Sequence, residues 1–133
     1  MKIETINTPA AGTWARDCEL INLIQENGLK ISYHKDEDNT YWRISCERIV
    51  SYKVINEEFS RTGYLIHLPT EGAFFEILES PWIGEFGEKE DRILSKCRHY
   101  VLQFYDETIE IIAQNFTFEQ LNNMQSGMPH TPR

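Results

Sequence analysis

Apolar and polar residues alternate in three stretches of this chain that can fold back on themselves with one face in register. Successive side chains of a strand point to opposite faces, so one register has to sort a whole face at once. In HYVLQFYDETIEIIAQ, residues 99–114, a loop centred on Asp106-Glu107 sets Phe104 opposite Ile109, Leu102 opposite Ile111 and Tyr100 opposite Ala113. In LKISYHK and TYWRISC, on either side of Asp36-Glu37-Asp38-Asn39, Tyr33 faces Trp42, Ile31 faces Ile44 and Leu29 faces Cys46. In YLIHL and AFFEIL, around Pro69-Thr70-Glu71-Gly72, Leu68 faces Ala73, Ile66 faces Phe75 and Tyr64 faces Ile77. Aromatic and β-branched cross-strand pairs stabilise such ladders, and Pro and Gly suit the third loop because one presets φ and the other accepts a positive φ. The pattern predicts an antiparallel sheet of about six strands built from the hairpins 29–35/40–54, 63–68/73–79 and 99–105/108–114.

Other segments complete an α+β reading. Residues 2–6 suit a short edge strand. A helix is predicted near 14–27, where Trp14, Cys18, Leu20, Ile21, Leu23 and Ile24 surround a narrow polar stripe and Thr13 and Gly28 suit its ends. The competing structure is a hairpin through Asn27-Gly28, a strong turn dipeptide; residues 18–25 fail strict alternation, which favours the helix. The strand opened by Thr40 extends to Val54 with a bulge or bend near Glu47-Arg48, where Arg48 interrupts the apolar face. Ser80-Pro81 suits an N-cap followed by a first helical position. Short helices are expected near 88–96, acidic first and basic last, and near 118–123, behind the capping box Thr117-Phe118-Glu119-Gln120. Residues 1–124 read as a single domain and 125–133 as a loose tail.

Composition narrows the class. With 133 residues, 41% hydrophobic and 12% aromatic, the chain carries enough apolar surface for a core. It contains no apolar run of membrane-spanning length and no signal-peptide pattern. Three cysteines, Cys18, Cys46 and Cys97, lack metal-type spacing and suggest reduced thiols in a cytoplasmic protein. The formal net charge is −8, and residues 36–92, with thirteen acidic and six basic side chains, hold most of it. Such a field disfavours nucleic acid and attracts a basic partner. The acidic groups fall in the predicted loops, which marks Asp36, Glu37, Asp38, Glu57, Glu58 and Glu85 as candidate binding residues. Trp82, in the Gly-containing, acid-flanked segment SPWIGEF, joins them as an anchor, although such a segment more often lids a core.

Catalytic patterns are absent. Asp36, Asp38, Thr40, Trp42, Ile44 and Glu47 match a calcium loop in spacing, but Tyr41 stands where that loop needs Gly. Cys97 and His99 lack two further zinc ligands. Cys46 lies on an apolar face, where a thiol is usually inert. Glu76, Glu110 and His99 read as outward polar residues of their strands. No catalytic residue, metal ligand or cofactor is therefore assigned.

The segment YWRISCERIVSYKVINEE, residues 41–58, resembles a motif of small bacterial proteins of uncharacterised function. Its shared outline is a Trp-containing strand, then Tyr52-Lys53-Val54, then Asn56-Glu57. HYVLQFYDETIEIIAQ is similar to their closing hairpin. Some of these proteins resemble immunity proteins of bacterial toxin systems, and the resemblance carries no residue role. Together these features favour a non-enzymatic interaction module, with an immunity-type inhibitor as the implied kind. The alternative is a small-molecule binder with a pocket between the sheet and the 14–27 helix; an enzyme without a recognisable motif ranks third. The second sheet face, with His34/Tyr41, His67/Phe74 and Val101/Ile112, is apolar enough to take a covering layer or a second copy of the chain.

Overall fold

The computed structural model describes residues 1–88 and 90–122. Seven antiparallel strands form one sheet: β1 (Lys2–Thr5), β2 (Cys18–Gln25), β3 (Leu29–Lys35), β4 (Thr40–Asn56), β5 (Phe74–Leu78), β6 (Arg98–Gln103) and β7 (Glu107–Leu121). Their order across the sheet is β1-β5-β6-β7-β4-β3-β2. Among the described residues, apart from three short 3-10 turns, the helical content is one four-residue turn, α1 (Pro81–Gly84). The fold is therefore essentially all-β, which corrects the α+β expectation.

The helix predicted near 14–27 is strand β2, joined to β3 by the Asn27-Gly28 hairpin. Asn27 and Gly28 take φ of 52° and 123°, the positive values a tight primed turn requires. A β-bulge explains the misreading. The β2–β3 register shifts between Leu20 and Asn22, so Leu20 and Leu23 both pack against the core. That phase slip lengthens one interval from two residues to three and mimics helical spacing. The helix expected near 118–123 is also overturned. Its described part belongs to β7, with Phe116 and Phe118 against the core, so sheet pairing overrides the capping-box signal. Among the described residues near 88–96 the regular turn is a 3-10 helix at Leu94–Lys96, its entry fixed by the Asp91 carboxylate accepting from the Ile93 and Leu94 N–H groups. The tail at 125–133 lies outside the described residues.

The β3–β4 hairpin keeps its predicted register, with Tyr33 opposite Trp42 and Ile31 opposite Ile44. The β6–β7 hairpin keeps its faces but slides by two residues: Leu102 faces Ile109 and Tyr100 faces Ile111. The cause is Phe104, which leaves the ladder and turns fully into the core against Tyr33 and Phe74. The hairpin 63–68/73–79 does not form. Residues 63–67 make a 3-10 turn, Ile66 is exposed, and β5 pairs with β1 and β6.

Tyr33 of β3 and Phe74 of β5 lie four positions apart in strand order, about 19 Å in a flat sheet. Their ring centroids are 5.4 Å apart, so the sheet folds over on itself. Strands β4 and β7 make the fold. The first half of β4 pairs with β3 and the end of β7, and its second half pairs with the start of β7. Between these halves Arg48 takes φ 51° and the ladder shifts between Ile49 and Ser51, at the bend the sequence indicated. The main core, including Leu29, Ile31, Ile44, Phe74, Leu102 and Ile111, fills the inside of the fold. A second cluster of Leu65, Leu68, Phe75, Ile77 and Val101 lies on the outer face of β5 and β6, where the connection carrying Leu65 and Leu68 covers it.

Candidate functional site: an acidic rim and a buried polar relay

Folding the sheet over brings sequence-distant acidic segments to one rim. Three backbone hydrogen bonds join them: Asp36 N donates to Asp17 O at 2.9 Å, Tyr105 N to Cys18 O at 2.8 Å, and Glu57 N to Asp106 O at 2.9 Å. The β3–β4 loop with Asp36, Glu37 and Asp38 thus connects, through the start of β2 and the β6–β7 loop, to Glu57 and Glu58. The side chains tighten the chain of contacts. Asp17, 1% exposed, accepts from the Thr13 and Glu37 N–H groups, and Thr13 Oγ1 donates to Glu37. Burial first, and then the negative charges of Asp106 and Glu19, hold the Glu107 carboxyl above its usual range. Carboxylates from β2, the β6–β7 loop and β7 therefore share one field.

The rim is not uniformly free. His34 lies 2.9 Å from Asp36, and Lys35 lies 3.6 Å from Asp38. Glu58 is exposed and Glu57 half-buried. Aromatic side chains stand beside them: Phe59 is 68% exposed, Trp14 51% and Tyr105 44%, with the Arg16 guanidinium 4.2 Å over the Tyr105 ring. Next to Thr13 and Lys35 the rim opens into a cavity of about 540 Å³ that also reaches Glu71.

Trp82 and Glu85 lie elsewhere. Glu85 is exposed just past α1. Trp82 is buried against β6, its ring 5.2 Å from that of His99 and 4.3 Å from the Lys53 ammonium, and is unavailable as an exposed anchor. Beneath it is a polar network that the sequence reading missed. His99 and Glu110, expected to point outward, are 0% and 1% exposed. Glu110 Oε1 meets His99 Nε2 at 2.8 Å and accepts from the Tyr64 hydroxyl at 2.6 Å, while Lys53 Nζ lies 3.5 Å from Oε2. Ser80 Oγ lies 2.7 Å from His99 Nδ1 and accepts from Ile83 N at 3.1 Å.

The hydrogen-bond roles follow from the chemistry. An ionised carboxylate only accepts, so His99 Nε2 donates to Glu110, and Ser80 Oγ pairs with the second ring nitrogen, Nδ1. Burial raises the Glu110 pKa, but the hydrogen bonds from His99 and Tyr64 and the nearby His99 and Lys53 charges outweigh it and hold the group below its ordinary value. Burial and the Glu110 contact push the Tyr64 hydroxyl far upward. Serine, histidine and carboxylate stand in the order of a hydrolytic triad, but the serine meets Nδ1 where a triad uses Nε2. Its hydroxyl also caps α1, and the histidine and carboxylate are shut from water. The network pins α1 and the 63–67 turn to β6 and β7. One signal had pointed to it: His99 and Glu110 share a strand face with Val101 and Ile112, and strands apolar on both faces are buried on both.

The three cysteines are free thiols. Among the described residues no cluster of His, Cys, Asp and Glu could hold a metal, and no helix is long and apolar enough to cross a membrane. Comparison with protein-family models, with characterised proteins and with solved structures gave no match.

Proposed function

We propose that the protein is a non-enzymatic interaction module that docks a basic protein on the acidic rim. The observation that carries this reading is the joining of the Asp36–Asp38 and Glu57–Glu58 segments into one surface that also exposes Phe59, Tyr105 and Trp14. Acidic side chains steer a cationic partner and quicken its association, and aromatic side chains that become buried in the contact slow its departure. An inhibitor of a basic toxin is the partner relation that the resemblance of residues 41–58 implies.

Affinity capture from the native host tests the reading, with the whole chain and a Glu58→Lys/Phe59→Ala variant as paired baits. Both positions are solvent-exposed, so the variant keeps the fold. The expected result is a stoichiometric basic protein held by the parent chain, released by salt and lost from the variant. A captured protein that binds both baits equally at low and high salt removes the rim from the interface.

A further inference from the structure

The bend of β4 carries a feature opposite in sign to the rest of the surface. Arg48, Arg92 and Lys96 line one cavity of about 510 Å³, together with Ile93 and Gln114. The chain has 21 acidic against 13 basic residues. Among the described residues Lys35, Arg43, Lys53 and Arg98 pair with carboxylates, while Lys2, Arg16, Lys30 and Arg61 stand apart from one another without such a pair. Among the described residues, Arg48, Arg92 and Lys96 form no ion pair. The nearby Asp91 carboxylate accepts from the Ile93 and Leu94 N–H groups through Oδ1 and is also drawn to Arg92.

Backbone geometry brings the three to one cavity. Arg48 sits at φ 51°, a left-handed conformation that a long side chain adopts only at a cost. The Asp91-capped 3-10 turn at Leu94–Lys96 presents Lys96 across from it. Converging cations are stabilised by an anion that bridges them, and two guanidinium forks with an ammonium suit an oxyanion of more than one charge. Lys96 and Gln114 also line an adjoining cavity. There Tyr100 and Phe116 stack with centroids 3.9 Å apart, and Phe116 is half-buried.

The geometry points to a binding site for a small phosphate-bearing molecule, held by Arg48, Arg92 and Lys96 with Gln114 as an amide donor. The site is independent of the acidic rim. Pyrophosphate is the minimal ligand of this chemistry, and a nucleoside diphosphate adds a base that reaches toward Phe116.

Amide NMR titration of the whole chain tests the site, with pyrophosphate, then ADP, each at ionic strength matched with sodium chloride. Saturable shifts confined to residues 48, 92–96 and 114 are expected. An Arg92→Gln/Lys96→Gln variant should weaken binding by at least about tenfold. Arg48→Asn, which tolerates the left-handed backbone, should weaken it similarly. Preserved spectral dispersion shows that each variant is folded, and Glu58→Lys should leave the affinity unchanged. ADP binding tighter than pyrophosphate, with added shifts at Tyr100 and Phe116, assigns a nucleotide; equal affinities assign the phosphates alone. Shifts that scatter over the chain without saturating, or that persist in Arg92→Gln/Lys96→Gln, overturn the proposal.

Discussion

At the scale of single residues, Glu110 is the group whose removal has the largest consequence. It is buried, accepts hydrogen bonds from His99 and Tyr64, and faces Lys53. Its loss leaves His99 Nε2 and the Tyr64 hydroxyl without their acceptor, at about 1–3 kcal/mol for each buried unsatisfied group. Glu110→Ala should lower stability in denaturant melts by at least about 1–3 kcal/mol. The pH dependence has a definite sign. The folded-state pKa of Glu110 is depressed, so its contribution is full above the unfolded-state value of about 4.3 and is lost as pH falls through the folded value. Wild-type stability should therefore drop more steeply on acidification than that of Glu110→Gln, measured by melts across the acid range. Cys18 and Cys46 behave oppositely to reactive thiols. Burial pushes both up to about 12, with the neighbouring Asp17 adding to the effect at Cys18. Both should resist alkylation in the folded protein and react fully in denaturant; rapid native labelling contradicts their burial.

At the scale of elements, the β2–β3 turn offers the sharpest test. Gly28 has φ 123°, and a Cβ there would sit 2.5 Å from the Cys46 carbonyl oxygen. Gly28→Ala should destabilise by more than about 1 kcal/mol, read as a lower midpoint at unchanged denaturant slope. Hairpins were legible where alternation ran unbroken into a short polar loop. Residues 29–46 gave the β3–β4 register pair by pair. Legibility failed where tertiary packing claimed a residue. Phe104 left its ladder for the core and moved the β6–β7 pairs by two, although face assignment survived because the slip was even. It failed again at β2, where a bulge hid the strand period, and at YLIHL, whose apolar residues cap the second cluster from a 3-10 turn while β5 takes β1 as its partner. The relay was read as surface because His99 and Glu110 alternate like outward residues of a one-sided sheet, even though Val101 and Ile112 share their face. The 63–67 turn and α1, through Tyr64, Ser80 and Trp82, make that face an interior.

At the scale of the whole molecule, the acidic segments were readable as composition but not as one surface, since nothing local in the sequence says that residues 36–38 and 57–58 meet. They meet because β4 bends at Arg48 and the sheet closes over its own core. Strands β4 and β7 each belong to both halves of the folded-over sheet, and that sharing bears on how the molecule opens. Each half keeps an outer ladder, β2–β3 in one and β1–β5–β6 in the other, but both are built on the same two long strands, so neither half can leave without breaking β4–β7 pairing. Native-state hydrogen exchange should therefore show the amides of β3, the whole of β4, β6 and β7 exchanging through a single global unfolding event, with one common opening free energy. Only α1 and the turns at 57–67 and 94–96 should open earlier, as a subunit that peels from the outer face. Two separate protected classes, one for each half, would mean that the bend at Arg48 acts as a boundary between independently unfolding units.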